Sequence, residues 1–239
     1  MSRETVQFAD LGAIRYQPAW DLQEKLLSEN VGLKLHSPRG TPPEAVQTRH
    51  YLLFCEHPHV FTLGKSGDAN NLLVGEAQRA AIQAEFYPIN RGGDITYHGP
   101  GQLVVYPILD LEKFRTDLGW YLRSLEEVII QVLTSYGLQG HRLKGATGVW
   151  LDPETPAARK ICAMGVRCSR WITMHGLAFN ILTDLSYFNY IVPCGIADKG
   201  VTSLAKELGY NPDFEEVKNR VKSAFEEVFS FSLIPSSLI

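Results

Sequence analysis

The densest group of side chains able to do chemistry lies in residues 91–102, RGGDITYHGPGQ. Adjacent glycines at Gly92 and Gly93 leave backbone N–H groups free to face a ligand, and Arg91, Thr96, Tyr97 and His98 add polar groups that a plain turn does not require. That combination describes a pocket wall, whereas an isolated Gly-Gly is more often a tight turn beside a solvated arginine. The segment is neither GxGxxG nor GxxxxGK[ST], so it does not establish nucleotide binding. A second group is residues 175–180, HGLAFN, where Gly176 and Ala178 make room beside a strand and His175 and Asn180 supply polar atoms. The competing reading of that histidine is a satisfied core side chain. Nucleophilic sulfur chemistry needs an accessible cysteine near a base or a cation. Cys55 sits in an apolar run and reads as core. Cys162 is a real rival, because an unbroken strand puts Lys160, Cys162 and Met164 on one face. Cys194, in Pro193-Cys194-Gly195, has a turn context that presents its sulfur at the rim of a cleft. The spacing of Cys162 and Cys168 matches no common zinc-ligand pattern.

The elements that must position these residues follow from length, composition and periodicity. A chain of 239 residues, 45% hydrophobic and 21% charged, buries a sizeable core, which excludes disordered, collagenous and coiled-coil classes. A net charge of −3 provides no broad basic footprint for nucleic acid or an anionic membrane. The longest apolar run, residues 51–55, is far below the ~18 residues of a transmembrane helix. Four cysteines without a CxxC pair or a secretory leader fit reduced thiols in a cytoplasmic protein. No repeat or low-complexity tract divides the chain, which reads as one domain over residues 1–239. Helical spacing appears over residues 18–35, 75–85, 118–136 and 214–229, with short helices near 185–190 and 203–208. Strands are expected at residues 49–55, 60–63, 87–89, 102–109, 147–151, 159–168 and 173–182. Without regular βαβ alternation, the pattern favours an α/β (α+β) fold with a mixed, largely antiparallel sheet flanked by helices.

With these residues in view, the chain resembles the lipoyl(octanoyl) transferases. The match is carried by RGGDITYHGPGQLVVY (residues 91–106), then by GVW (148–150), RKICAMGV (159–166), MHGLAFN (174–180) and PCG (193–195), in the family's order. It spans roughly residues 51–203. Val192 departs from many relatives, which carry Asn before the proline. The resemblance implies the fold shared with biotin and lipoate protein ligases, and an octanoyltransferase that moves an octanoyl group from acyl carrier protein to a lysine of apo lipoyl domains. It puts the acyl-accepting cysteine at Cys194 and the essential lysine at Lys160. It puts substrate contacts at Arg91, Gly92, Gly93, Asp94, Ile95, Thr96, Tyr97 and His98, at Ala163, Met164 and Gly165, and at Gly176, Leu177 and Ala178, with His175 and Asn180 in support.

A Cys/Lys pair suits that reaction, because donor thioester and acyl-enzyme are chemically alike and the first transfer needs mainly a thiolate and a proton carrier. Backbone N–H groups near Cys194 or Gly165 would hold the oxyanion. No ATP and no metal are expected, since the donor is already activated. The expected partners are octanoyl-acyl carrier protein and the lipoyl domains of 2-oxoacid dehydrogenases and of the glycine cleavage H protein, served by a monomer. Such partners are typically acidic, so basic residues should rim the mouth, with Arg91, Arg142, Lys144, Arg167, Arg170 and Lys199 as candidates. The rival readings are an ATP-dependent lipoate or biotin ligase of the same fold, which needs no cysteine, and a non-catalytic module that docks lipoyl domains.

Overall fold

The computed structural model describes residues 3–38, 40–42, 45–192 and 199–236. Its main sheet has the order β12-β1-β2-β6-β10-β9-β8-β7, with β11 on β9. The strands are β1 (Thr5–Ala13), β2 (His50–Glu56), β6 (Gln102–Ile108), β7 (His141–Leu143), β8 (Ala146–Leu151), β9 (Arg159–Ser169), β10 (Ile172–Asn180), β11 (Gly200–Val201) and β12 (Ser232–Pro235). A smaller sheet, β4-β3-β5, joins β3 (Val60–Leu63) to β4 (Glu85–Pro88) and β5 (Ile95–His98). The central run β2-β6-β10-β9-β8 is antiparallel, while β1 pairs parallel with both β2 and β12. The expected fold class, a mixed, mostly antiparallel sheet flanked by helices, is the one observed.

Every residue of β6 and β10 is buried, because helices cover both faces of the main sheet. One face packs Leu103, Val105, Leu177 and Phe179 against α3 (Leu118–Ser135) and α5 (Phe214–Phe229), through Leu125, Ile129, Val221 and Phe225, with the short α4 (Leu204–Leu208) adding Leu204. The other packs Val104, Tyr106 and Ala178 against α1 (Tyr16–His36), through Ala19, Leu26 and Leu27. The starts of α3 and α5 are set by Asp117 and Asp213, whose carboxylates accept from Trp120 N and Glu216 N, each at 2.9 Å.

Several expectations need correction. The helix expected at 75–85 is only α2 (Glu76–Ala81), because Gln83 turns with φ 55° and the chain enters β4 at Glu85. The strand expected at 87–89 begins two residues earlier. Residues 95–98, expected only as part of a glycine-rich pocket wall, form β5. The strands β1, β7, β11 and β12 were not foreseen.

One irregularity decides the site. Val149 pairs with Cys162 but Trp150 pairs with Lys160, so Ile161 is an extra residue in β9, a β-bulge. The bulge reverses the side-chain alternation. Cys162 faces the α3/α5 core, and Lys160 emerges on the opposite face with Ala163. The expectation that Lys160 and Cys162 share a face therefore fails, and the inserted residue is the reason.

Candidate active site

A cavity lies between the two sheets. Its floor is the row Val104–Ala178–Ala163 with Gly176 and Gly165 beyond it, and its roof is the loop 91–96. A second cavity adjoins it, lined by Gln102, Trp150, Asn180, Lys199 and Gly200, and the two share Thr96, Lys160, Ala163 and Ala178. Lys160 thus stands where they meet. Its Nζ lies 4.7 Å from the centre of the Trp150 ring, and its carbonyl accepts from Thr202 N at 2.9 Å.

The roof is built by backbone bonds. Lys65 N donates to Arg91 O at 2.9 Å, Ser66 N to Gly93 O and Gly64 N to Asp94 O at 3.3 Å, and Gly92 N donates to Val166 O of β9 at 2.9 Å. Arg91 is buried. Its Nη2 donates to Thr62 O at 2.7 Å and Thr62 Oγ1 at 3.0 Å, and its Nη1 donates to Gly92 O at 3.0 Å. Gly165 lets this loop settle, since a Cβ there would stand 2.8 Å from Gly92 O and 2.9 Å from Arg91 Cδ. Gly165→Ala is therefore expected to lift the roof and lower kcat/KM for the acyl transfer that the resemblance implies at least tenfold in a chain that stays folded. Unchanged kinetics with an unchanged circular dichroism spectrum would show that roof contact is dispensable.

Polar groups inside the site are satisfied by one another. His98 Nδ1 lies 2.8 Å from Gln102 Oε1, Gln102 Nε2 donates to Asn180 Oδ1 at 2.9 Å, and Asn180 Nδ2 donates to Thr202 O at 3.0 Å. Burial holds three imidazoles neutral. It lowers His57 to about 4, and lowers His98 and His175 to about 3, with Arg91 close to the last two adding to the effect. In the unfolded chain these groups return to 6.5 and take up protons that the folded chain refuses. Stability is then full above the unfolded value and lost as pH falls toward the folded ones, by up to about 1.4 kcal/mol per pH unit for each histidine. Urea midpoints should drop clearly between pH 7.5 and pH 5. A flat profile over that window would contradict the neutral assignment.

Of the residues expected at the site, Arg91, Gly93, Asp94, Ile95, Thr96, His98, Lys160, Ala163, Met164, Gly165, His175, Gly176, Leu177 and Ala178 line the first cavity, and Asn180 lines the second. Gly92 contributes through its bond to β9. Tyr97 lies on the other side of β5, its hydroxyl 2.7 Å from His59 Nδ1 and its ring stacked on Tyr187 at 5.0 Å. Cys194 lies outside the described residues. The chain on either side of it is fastened to the walls. Val192 N donates to Asn71 O at 2.8 Å, Asn71 Nδ2 donates to Asp94 Oδ2, and Gly200 and Val201 pair with Arg159 and Lys160.

The other three cysteines are Cys55, Cys162 and Cys168, and burial raises each thiol above its ordinary value. Cys162 has no exposed surface, which removes it as the rival nucleophile. Among the described residues no three His, Cys, Asp or Glu converge as metal ligands. Sequence reasoning missed Tyr16, Val104 and Tyr106 in the cavity wall. The period-2 alternation from Gln102 could have found the last two, while nothing local marks Tyr16. Of the basic residues expected at the rim, Arg91 is buried, Arg142 is tied to Glu126 and Glu127, and Arg167 pairs with Glu24.

Residues 15–226 match the family model of the lipoyl protein ligase A/B catalytic domain. Among solved structures, a bipartite lipoate protein ligase from Thermoplasma acidophilum superposes with a TM-score of 0.69 at 13% identity, over 100% of this chain and 88% of that one. Lipoate-protein ligase A bound with ATP gives 0.67 at 13% identity, over 100% and 90%. At that identity the likeness shows the fold alone, and together with the family match it defines the class, a lipoyl protein ligase A/B catalytic domain. Within that class, an octanoyltransferase of Christiangramia forsetii is 56% identical over 98% of this chain and 99% of its own length. An octanoyltransferase of Bacteroides fragilis is 54% identical over 89% and 92%. The chain belongs to the lipoyl(octanoyl) transferase family.

Proposed function

We propose that this protein is an acyltransferase of protein lipoylation, moving an octanoyl group from octanoyl-acyl carrier protein to a specific lysine of apo lipoyl domains through a thioester on Cys194. The observation that carries this reading is the position of Lys160. The bulge at Ile161 turns its amine to the junction of the two cavities, where β11 brings Lys199 and Gly200 alongside, and Cys194 stands five positions before Lys199 in the sequence. The identity to octanoyltransferases supports the acyl group and the lipoylation context.

In the first half-reaction the Cys194 sulfur, its proton passed to Lys160, attacks the donor carbonyl. The carbon–sulfur bond to the pantetheine thiol breaks, and that thiol leaves with the proton from Lys160. In the second, the acceptor lysine amine attacks the Cys194 thioester, Lys160 takes the amine proton, and the proton returns to the departing cysteine. The chain works as a single catalytic domain and a monomer, in the cytoplasm, with neither ATP nor metal. Its acceptors are the lipoyl domains of 2-oxoacid dehydrogenases and the glycine cleavage H protein. Nucleic acid and membrane have no part in the reaction, and among the described residues no helix is long and apolar enough to cross a membrane.

The test is intact-mass spectrometry after incubation with octanoyl-acyl carrier protein in EDTA without nucleotide. One added octanoyl group, discharged by an apo lipoyl domain, is the expected result. A chain that modifies lipoyl domains only with free octanoate and ATP is a ligase, and one that binds them without either reaction is a docking module.

A further inference from the structure

The cavity is a slot that runs along β9 and β10 and is closed at one end by a side chain in an unusual conformation. From the Lys160 end the paired floor residues are Ala163 with Ala178 and then Gly165 with Gly176, so the floor carries methyl groups and then no side chains at all. The next residue on β10, His175, lines the same cavity and pairs with Val166. It has φ +59° in the middle of a strand, a left-handed conformation that a non-glycine residue keeps only where its surroundings impose it. Two bonds impose it here. His175 N donates to Gln23 Oε1 of α1 at 2.9 Å, and His175 Nε2 donates to Asn90 Oδ1 at 2.9 Å. Tyr16 and Tyr106 line the same cavity, the Tyr106 hydroxyl lying 2.7 Å from His57 Nε2.

Resting on the octanoyl-transfer reading, we propose that His175 is the end stop of the acyl slot and limits the accepted chain to about eight carbons. The dimensions agree. His175 lies three steps along the strand from Ala178, which is ~10 Å at ~3.3 Å per residue. An extended octanoyl chain spans ~9 Å from carbonyl carbon to methyl, given carbon–carbon bonds of ~1.5 Å. Two further methylenes would drive the chain into the imidazole, which is 2% exposed and pinned at both its backbone N–H and its ring. The buried ring is uncharged, so it ends the slot without confronting the alkyl terminus with an ion.

His175→Gly tests this, because glycine adopts the positive φ without strain and leaves only the stop removed. The ratio of kcat/KM for decanoyl- over octanoyl-acyl carrier protein should rise at least tenfold, while the hexanoyl-to-octanoyl ratio moves less than twofold. An unchanged decanoyl ratio in a variant that still transfers octanoyl overturns the proposal. If His175→Gly does not accumulate as folded protein, His175→Asn, also tolerant of left-handed φ and shorter than histidine, should give a smaller rise in the same direction. Calorimetric binding of free octanoate and decanoate to the wild-type chain and the variant separates the two readings. A wild-type chain that forms no acyl-enzyme refutes the transfer reading, yet a decanoate affinity that increases in the variant still supports the end stop, and one that stays constant refutes it.

Discussion

Cys194→Ala will form no octanoyl adduct and will reduce transfer to apo lipoyl domains to background, whereas Cys162→Ala will keep most activity. The contrast rests on where sulfur can ionise and meet a substrate. Cys162 is wholly buried on the α3/α5 face of the sheet, and burial pushes its thiol far from the thiolate that attack requires. Removing its sulfur trims a packed core atom, a change on the order of 1 kcal/mol in stability. Cys55 is as deeply buried, and Cys168 is half-buried at the far end of β9. A full-strength adduct in Cys194→Ala, mapped by peptide mass spectrometry to Cys162 or Cys168, would falsify the assignment of the nucleophile.

Lys160→Arg will lower turnover about 10²-fold or more, the scale of a lost general acid–base group. Arginine keeps a positive charge beside the site but does not release a proton near neutral pH, so it separates charge from proton transfer. The surroundings of Lys160 make this a demanding test. Its amine lies over Trp150, and its Cδ and Cε run 3.5 and 3.4 Å from where a Gly148 Cβ would stand, so the stem is packed along its length. The bulkier guanidinium can therefore also displace the donor. Alkylation supplies the control, since the wholly buried Cys55 and Cys162 react slowly and rapid labelling at Cys194 reports a reactive sulfur. Preserved labelling with collapsed turnover identifies proton transfer as the missing step. Near-normal turnover would mean that charge suffices and that another group moves the protons.

What the sequence made legible was what its local chemistry dictates. The adjacent glycines at 92 and 93 announced a backbone brought close to something, and a Cβ at Gly165 would stand 2.8 Å from the carbonyl oxygen of Gly92. The strongly periodic helices α3 and α5 and the strand β2, apolar from Tyr51 to Cys55, appeared where expected. The bulge at Ile161 did not, because it exists only in the register of β9 against β8, a pairing that β9 alone does not encode. Gly148 adopts φ 128° with its N–H given to the buried Glu126 of α3, and no pattern within 159–169 records that. The same holds for β1, whose half-exposed alternation becomes a strand only once β2 and β12 flank it. Tyr97 stands apart from the cavity because period 2 along β5 sends it away from Thr96 and His98, and β5 itself lies among glycines that mask it in the sequence. The choice of Cys194 over Cys162 came from resemblance alone, and burial has since removed the rival.

The roof of the slot is fastened to both sheets, by the bonds from residues 64–66 on one side and from Gly92 to Val166 on the other. It is a wall rather than a flap, so on the octanoyl-transfer reading an alkyl chain would enter lengthwise, methyl end leading, and withdraw the way it came. The ordering entropy of the slot's described roof and floor is settled during folding, leaving the ligand's own bond rotations as the main freedom it would surrender there on binding. Amides of the roof should accordingly exchange with solvent no faster than those of the strands they join.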